Sequence, residues 1–531
     1  MTQSLGVYLP ATILQKGLGL GRTLLFIYLL KNAMPQYGLW GVASMIFSVG
    51  ALVVTLGTHL GLQRYTSLYE ARGQFRIFYR RVLQAVPVII ALVTAIALAA
   101  SPWITNLVIV SRTGQASSDD IPYSKELMAC ILAIINAMLL ALQFNMLSLM
   151  YGLRAYRLVS ALDIFFSAAF TVLGLAAAWA SPTAASLLAA HAVSLLATVT
   201  IGMLLLHRGL DTLLTGTLLN GTGDFGERSR AVPHVSSSAT EGCMGTAKKL
   251  MGGTPMPPEP RIVTQLLHYG WVALVGNLLW MTLGYVSPYL INRDYGKMEV
   301  GLYWAFFVFS QTIVFLADAI WSVVLAHVAK SWETDGQQIA LRTLQTVYKA
   351  AALAILTLAV IIYITAPVWV HILPAKFQGG LDLLGGQLLL FTALAQLALM
   401  TIIARLQERP WIIAAAATAG GAATVLLAQF VLMPKMGPAG AAWAGGIGVY
   451  AGAGAVTILY FLAAKLRLGA GTILILASPI ILALPAILPI WTIAPAAAIL
   501  IALATTTHAI FTKDEKETLR QSARQLLGRP V

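Results

Sequence analysis

The chain has little charge for its length. Asp, Glu, Lys and Arg make up 10% of 531 residues, against about 25% in soluble domains, and that deficit excludes a soluble enzyme of this size. With 58% hydrophobic residues and a mean hydropathy of +0.80, apolar stretches follow one another too densely to be buried in one water-facing globule. Cysteine is nearly absent: Cys130 lies inside an apolar stretch and Cys243 in a polar connection, which rules out a disulfide framework and leaves metal chemistry without a thiolate cluster. The alternating ten-residue segments of a membrane barrel are missing too. Long unbroken apolar runs must then be helices, because lipid offers no partner to exposed backbone groups. The expected class is all-α and polytopic.

A bilayer crossing takes roughly 20 apolar residues, and about fourteen stretches qualify: 7–31, 39–61, 83–110, 125–150, 158–180, 183–206, 265–291, 301–329, 347–371, 382–404, 411–433, 439–463, 470–489 and 491–511. The last two carry Pro485, Pro489 and Pro495, which mark either a short external turn or a kink in a single passage. The formal charge of +14 is spread over short connections and forms no basic nucleic-acid-binding domain. It reports orientation instead. With the N-terminus placed in the cytoplasm, only Lys31, Arg112, Lys125, Arg293, Lys297, Lys376 and Lys435 of the 34 Lys and Arg fall on the opposite side. The positive-inside rule then predicts that both termini are cytoplasmic. The first stretch carries Lys16 and Arg22 and lacks a basic n-region, so it reads as a retained helix and not as a cleaved leader.

One long polar break, 207–264, is rich in Gly, Ser and Pro and reads as a flexible cytoplasmic linker. It contains no phosphate-binding loop, so ATP hydrolysis by this chain is not expected. The break separates residues 1–206, with six apolar stretches, from 265–463, with six more, followed by two further stretches in 464–512 and a tail in 513–531. In that tail Leu519, Ala523, Leu526 and Leu527 alternate with Lys513, Lys516, Arg520, Arg524 and Arg529, the pattern of a short amphipathic helix suited to an anionic leaflet. The two halves open alike. Tyr37-Gly38-Leu39-Trp40 precedes the second stretch and Gly301-Leu302-Tyr303-Trp304 the eighth, while Ser181-Pro182 and Gly437-Pro438 introduce the sixth and twelfth. Such correspondence predicts a duplicated six-helix bundle with a path between the halves.

Three stretches carry a more specific likeness: Tyr37-Gly38-Leu39-Trp40 with Leu56-Gly57-Thr58-His59-Leu60-Gly61, then Tyr151-Gly152-Leu153-Arg154, then Pro434-Lys435-Met436-Gly437-Pro438-Ala439-Gly440. In their order and spacing they resemble the multidrug/oligosaccharidyl-lipid/polysaccharide flippase superfamily, in its bacterial polysaccharide-translocase branch. The resemblance implies two six-helix lobes in a V, two added C-terminal helices, and export of a lipid-linked oligosaccharide across the inner membrane by alternating access. It implies membrane lipids and a lipid-linked oligosaccharide as partners, with downstream polymerase and export machinery beside them, and no cofactor beyond a proton or sodium gradient. Relatives often place an acidic residue late in the seventh helix, where this chain has Ser287-Pro288.

The first helix is where a substrate preference is legible. Gln15-Lys16-Gly17-Leu18-Gly19-Leu20-Gly21-Arg22 sets two cations around three glycines, and each charge at the helix centre costs about 2.5–3.5 kcal/mol on insertion scales. Residues so costly face a cavity. Six steps separate them by roughly 9 Å along the axis and about 120° around it, so long side chains or a loosened helix are needed for both to reach one anion. In relatives that flip the peptidoglycan precursor, basic residues of the first helix bind the lipid diphosphate, and the resemblance extends that role to Lys16 and Arg22. Lys16 also lies within snorkelling reach of the headgroups. Arg64 serves either as a mouth residue or as a positive-inside anchor, and Arg72, Arg76, Arg80 and Arg81 form a solvated basic loop. Asp318 and Asp163 are the candidates for ion coupling, with Asp163 also readable as an N-terminal helix charge. His59, His191, His327 and His508 have no ligand spacing and read as packing residues, so no metal is expected. Asn136, Gln143, Asn145, Asn277 and Gln311 either line a sugar path or bridge helices.

Two other classes share parts of this pattern. A multidrug cation antiporter of the same fold needs cavity carboxylates, whereas this first helix offers cations. A polysaccharide polymerase or membrane glycosyltransferase needs a large external loop, and the longest here, 111–124 with Asp119-Asp120, is short.

Overall fold

The computed structural model describes residues 2–71, 74–110, 121–153, 155–214, 261–334, 336–407, 409, 411–464, 468–486 and 488–526. Among them there is no strand, and eleven helices are long and apolar enough to cross a membrane. The all-α, polytopic architecture is therefore the observed one.

The first half contains α1 (Thr2–Leu29), α2 (Met34–Thr55), α3 (Thr58–Ala71), α4 (Phe75–Ala99), α5 (Tyr123–Gly152), α6 (Tyr156–Ala180) and α7 (Ala184–Leu214). The second contains α8 (Arg261–Tyr295), α9 (Lys297–Thr334), α10 (Gln337–Trp369), α11 (Leu381–Leu406), α12 (Trp411–Leu427), α13 (Pro438–Gly448) and α14 (Gly454–Ala463). Within the first half α2 packs on α5, α5 on α7 and α1 on α6; within the second α11 packs on α9 and α13, and α8 on α12. The halves meet where α2 lies along α9 and α8. The face on which α1 begins is called proximal below, and the opposite face distal.

In α1, Gln15, Lys16 and Arg22 interrupt the apolar residues. They are nevertheless carried inside one unbroken helix of 28 residues. The expected stretch 39–61 breaks instead at Leu56 and Gly57, where φ is +45° and +74°. Leu56 is the one non-glycine with positive φ among the described residues, a conformation that costs a branched side chain roughly 1 kcal/mol. A neighbouring hydroxyl holds the bend: Thr58 Oγ1 lies 2.7 Å from the Thr55 carbonyl and 2.8 Å from Asn145 Oδ1, its single hydrogen shared between the two acceptors. Helix α7 continues to Leu214 and α8 starts at Arg261, so the ends of the expected 207–264 linker are helical; 215–260 lie outside the described residues.

After α14 the chain forms α15 (Ala470–Ala477), continues as a 3-10 helix over Ser478–Ala486, and returns through α16 (Ile493–Thr506). Gly471 at the start of α15 lies against the Ile510 carbonyl, which a Cβ would approach to 2.2 Å. The two ends of the segment are therefore adjacent. It is a hairpin, turning where the Pro489 carbonyl accepts from the Thr492 amide and hydroxyl, and not a single kinked passage.

The tail forms α17 (Lys513–Leu526), but it is fastened to the second half as well as being amphipathic. Thr512 and Glu515 make a capping box, with the Thr512 amide donating to Glu515 Oε2 at 2.8 Å and the Glu515 amide donating to Thr512 Oγ1 at 3.3 Å. The same carboxylate receives Lys349 Nζ of α10 at 2.7 Å on both oxygens. Lys349 is buried and also donates to the Ile510 carbonyl at 3.0 Å. Lys516, expected to face the leaflet, donates to the carbonyls of Thr505 and Thr507 at 2.7 and 2.6 Å, satisfying the end of α16.

Partial burial raises the Glu515 carboxyl, but the Lys349 ammonium, the Thr512 amide and the Thr346 hydroxyl outweigh it and hold the group below its ordinary 4.5. Its stabilisation is thus present above that value and is lost as pH falls through the lower folded value. Glu515→Gln leaves a buried ammonium unpaired, at a cost of about 3–5 kcal/mol. We expect a lower Tm and faster proteolysis of α17. The double variant Glu515→Gln/Lys349→Met recovers most of that loss, and equal Tm values for the two variants contradict the pairing.

Candidate functional site

A half-open cavity of about 200 Å³ lies between the halves, lined by α1, α6 and α9. Helix α1 supplies Gln15, Lys16, Gly19, Arg22 and Thr23; α6 supplies Phe166 and Ser167; α9 supplies Gln311, Thr312 and Phe315. Both cations of the first helix thus line one space. They do so without converging. The helix is regular through its glycines, with Thr23 Oγ1 donating to the Gly19 carbonyl at 3.0 Å, and the 120° divergence is kept. Lys16 Nζ reaches across to the second half and sits 3.9 Å from the centroid of the Phe315 ring, while the Arg22 guanidinium lies over Phe170 of α6 at 4.2 Å. The cavity is the gap between them.

Arg22 is half-buried, and its one hydrogen bond among the described residues, from Nη1 to the Ser167 carbonyl, is long at 3.5 Å. That carbonyl also accepts from Thr171 Oγ1 at 2.7 Å. Among the described residues no carboxylate pairs with Arg22. A cation–π contact returns about 0.5–2 kcal/mol against an insertion cost of about 2.5–3.5 kcal/mol. The site is left with an uncompensated positive charge and several donors facing a cavity, which is an arrangement for an anion.

Asp163 is half-buried in the second turn of α6 and beyond, not at the N-terminus of the helix, and it lies within the electrostatic reach of Lys16. The side chains of Arg64, Asp318 and His327, and the whole of Arg72, Arg154, Asp119 and Asp120, lie outside the described residues. Arg76 and Arg80 are exposed on α4, as a solvated loop and helix start require. Of the amide residues, Gln311 lines the cavity, whereas Asn136 and Asn145 bridge helices: Asn136 donates to the Leu188 carbonyl of α7 at 3.0 Å, and Asn145 accepts from Thr58.

Two seams bracket the cavity, and both are built on glycine. On the distal side Gly38 of α2 meets Gly301 of α9, the two residues that open corresponding segments of the repeat. A Cβ on Gly38 would lie 1.9 Å from the Lys297 carbonyl, and one on Gly301 2.8 Å from the Met34 carbonyl. The same edge holds a buried ion pair between Glu126 of α5 and Lys297. Asn292 of α8 adds hydrogen bonds to the carbonyls of Val108 and Ile109 at 2.8 and 3.1 Å. On the proximal side Gly57, in the bend between α2 and α3, meets Gly270 of α8, where a Cβ on either would fall within 2.3 or 2.6 Å of the other's carbonyl oxygen.

No family model matches the chain, and no curated protein does. Among solved structures it is similar to the lipid II flippase MurJ in an inward closed conformation, at 13% identity, with 93% of this chain and 98% of that chain covered and a TM-score of 0.57. It is also similar to an inward-facing multidrug resistance transporter of the MATE family in the MOP superfamily, at 12% identity, 87% and 98% coverage and a TM-score of 0.56. A third likeness is to a MOP superfamily transporter from Pyrococcus furiosus, described as having a binding pocket of reverse polarity that suggests a different function, at 12% identity, 88% and 95% coverage and a TM-score of 0.52. These likenesses show a shared fold, and each of the three solved proteins is a flippase or a transporter.

The seams generate a test. Gly38→Ala forces its methyl group into the Lys297 backbone, so the distal edge has to part. A cysteine placed at Ser44 of α2 is expected to label faster with an impermeant thiol reagent in the Gly38→Ala background than without it. Unchanged labelling contradicts the distal seam as the closing contact.

Proposed function

We propose that the chain is a flippase that carries a polyprenyl-diphosphate-linked oligosaccharide from the cytoplasmic to the outer leaflet of a bacterial inner membrane, for polysaccharide export. The observation that carries this reading is Arg22, a guanidinium at membrane depth that faces an interlobe cavity, with no carboxylate against it among the described residues. Planar, always charged and rich in donors, it suits bidentate contact with a diphosphate oxygen pair. Lys16 on the opposite wall supplies a second charge. The fold shared with a lipid II flippase supports the same class of substrate, and the positive-inside distribution makes the proximal face cytoplasmic, with both termini there.

Transport follows from the two seams. Parting Gly57 from Gly270 opens the cavity to the cytoplasm, the diphosphate enters between Lys16 and Arg22, and the polyprenyl tail stays in lipid. Reclosing that seam while the Gly38–Gly301 edge and the Glu126–Lys297 pair separate exposes the site to the outside. At about 200 Å³ the cavity is below the roughly 300–1,000 Å³ of ordinary ligand sites, so the sugar is accommodated in states opened further. Asp163, near Lys16, is the acidic group this wall offers to a coupling cation. A multidrug cation antiporter of the same fold is disfavoured by the sign of the cavity charge.

Replacing Arg22 with Ala removes the anion's principal partner, a loss of about 2–5 kcal/mol for a desolvated charge pair, or roughly thirty-fold or more in binding. Export of polymer by cells carrying Arg22→Ala is expected to fall to background at unchanged membrane levels of the protein, with Arg22→Lys partly restoring it. Full export at normal protein level refutes the reading.

A further inference from the structure

His191 of α7 is buried one ring away from the cavity. Its imidazole stacks on Phe47 at 4.8 Å and meets Phe170, Phe166 and Trp40 edge-on at 4.7, 5.4 and 6.1 Å. The neighbouring hydrogen bonds determine its tautomer. Asn136 uses both amide hydrogens, on the carbonyls of Leu132 at 2.8 Å and Leu188 at 3.0 Å, so the atom 2.7 Å from His191 Nδ1 is its carbonyl oxygen. An oxygen there only accepts, hence Nδ1 carries the hydrogen and Nε2 holds the free lone pair. Nε2 has no hydrogen-bond partner among the described residues.

Four aromatic rings surround the imidazole, and the face of one of them, Phe170, is occupied by the Arg22 guanidinium. From α5 the facing polar group is Asn136, from α2 the facing side chains are Trp40 and Phe47, and from α6 they are Phe166 and Phe170, with Asp163 about two turns nearer the proximal side beside Lys16. The charged group whose field reaches the ring is Arg22. Arg22 and His191 share Phe170, at 4.2 and 4.7 Å from its centroid, so they stand within about 9 Å of each other, where two like charges oppose one another appreciably in a protein interior.

We propose that His191 is a proton-binding site linked to the anion site at Arg22: an anionic diphosphate seated at the guanidinium reverses the local charge, Nε2 takes up a proton, and each bound species tightens the other. This rests on the functional reading above. By reciprocity the protonated protein binds the diphosphate more tightly by the same factor, on the order of tenfold at this separation. The sign also matters for coupling, because a proton recruited by the anion travels with it and is not exchanged against it at this residue.

The test uses the full-length protein in lipid nanodiscs and farnesyl diphosphate as probe, with calorimetry at about pH 5.5 and about pH 7.5 in buffers of different ionisation enthalpy, which counts protons taken up on binding. Wild type and His191→Gln share the probe's own titration. The wild type is expected to take up an additional fraction of a proton and to gain about tenfold more affinity on acidification than the variant. Asn136→Asp places a carboxylate on Nδ1 and is expected to move the uptake to higher pH, which keeps the test open if His191→Gln fails to fold. Equal proton counts and equal pH profiles in wild type and either variant overturn the linkage while leaving the anion site in place. Binding that survives Arg22→Gln, or no binding by the wild type, overturns the anion site and the linkage with it.

Discussion

The structure is organised around a guanidinium that has no carboxylate partner among the described residues. Arg22 sits in a helix that has to lie among apolar neighbours, and its few contacts, a long bond to the Ser167 carbonyl and the face of Phe170, leave most of its desolvation cost unmet. Packing cannot remove that cost by moving the side chain outward, because α1 is held against α6 on one side and reaches α9 through Lys16 on the other. The charge is therefore kept in a state that a transient anion improves. On the proposed function, a permanent carboxylate at this position would neutralise the site and remove the reason for a substrate to enter it.

The glycine seams suit the two states of the proposed transport cycle. Two helices that separate and rejoin cannot rely on interlocked large side chains, which need a rotamer change at every cycle; backbone laid on backbone parts cleanly. Gly38 against Gly301 and Gly57 against Gly270 provide that on opposite faces. The strained Leu56 beside Gly57 fits the same picture, since a conformation held above its minimum costs less to leave. The Glu126–Lys297 pair gives the distal edge a directional contact that glycine alone lacks.

Much of the architecture was legible because it depends on composition and local pattern. Charge scarcity and run length specify a helical membrane protein whatever the tertiary detail, and the cost of Lys16 and Arg22 in lipid already places them at a cavity. Pairings between distant residues were not legible. Gly38 and Gly301 stand out as equivalent positions, but equivalence does not say that the two touch. His191 reads as an isolated packing residue because Asn136, 55 positions away, is invisible to spacing, and the same holds for Lys349, a lone cation in an apolar run whose partner Glu515 lies in the tail. The divergence of the two cavity cations was legible, since regular helix geometry sends them to opposite walls, but the helices that complete the space between them were not.

The hairpin after α14 shows how a chain too short for its task reaches across. Residues 470–486 would extend only about 25 Å as a regular α-helix at 1.5 Å per residue, less than the roughly 30 Å of a hydrocarbon core. Nine of them, Ser478–Ala486, adopt the slimmer 3-10 coil, which advances about 2.0 Å per residue, and the added length brings the strut to about 30 Å. Proline at 479 and 485, ruinous to a longer rod, here accompanies a lengthening by which a segment of seventeen residues matches the thickness of its solvent.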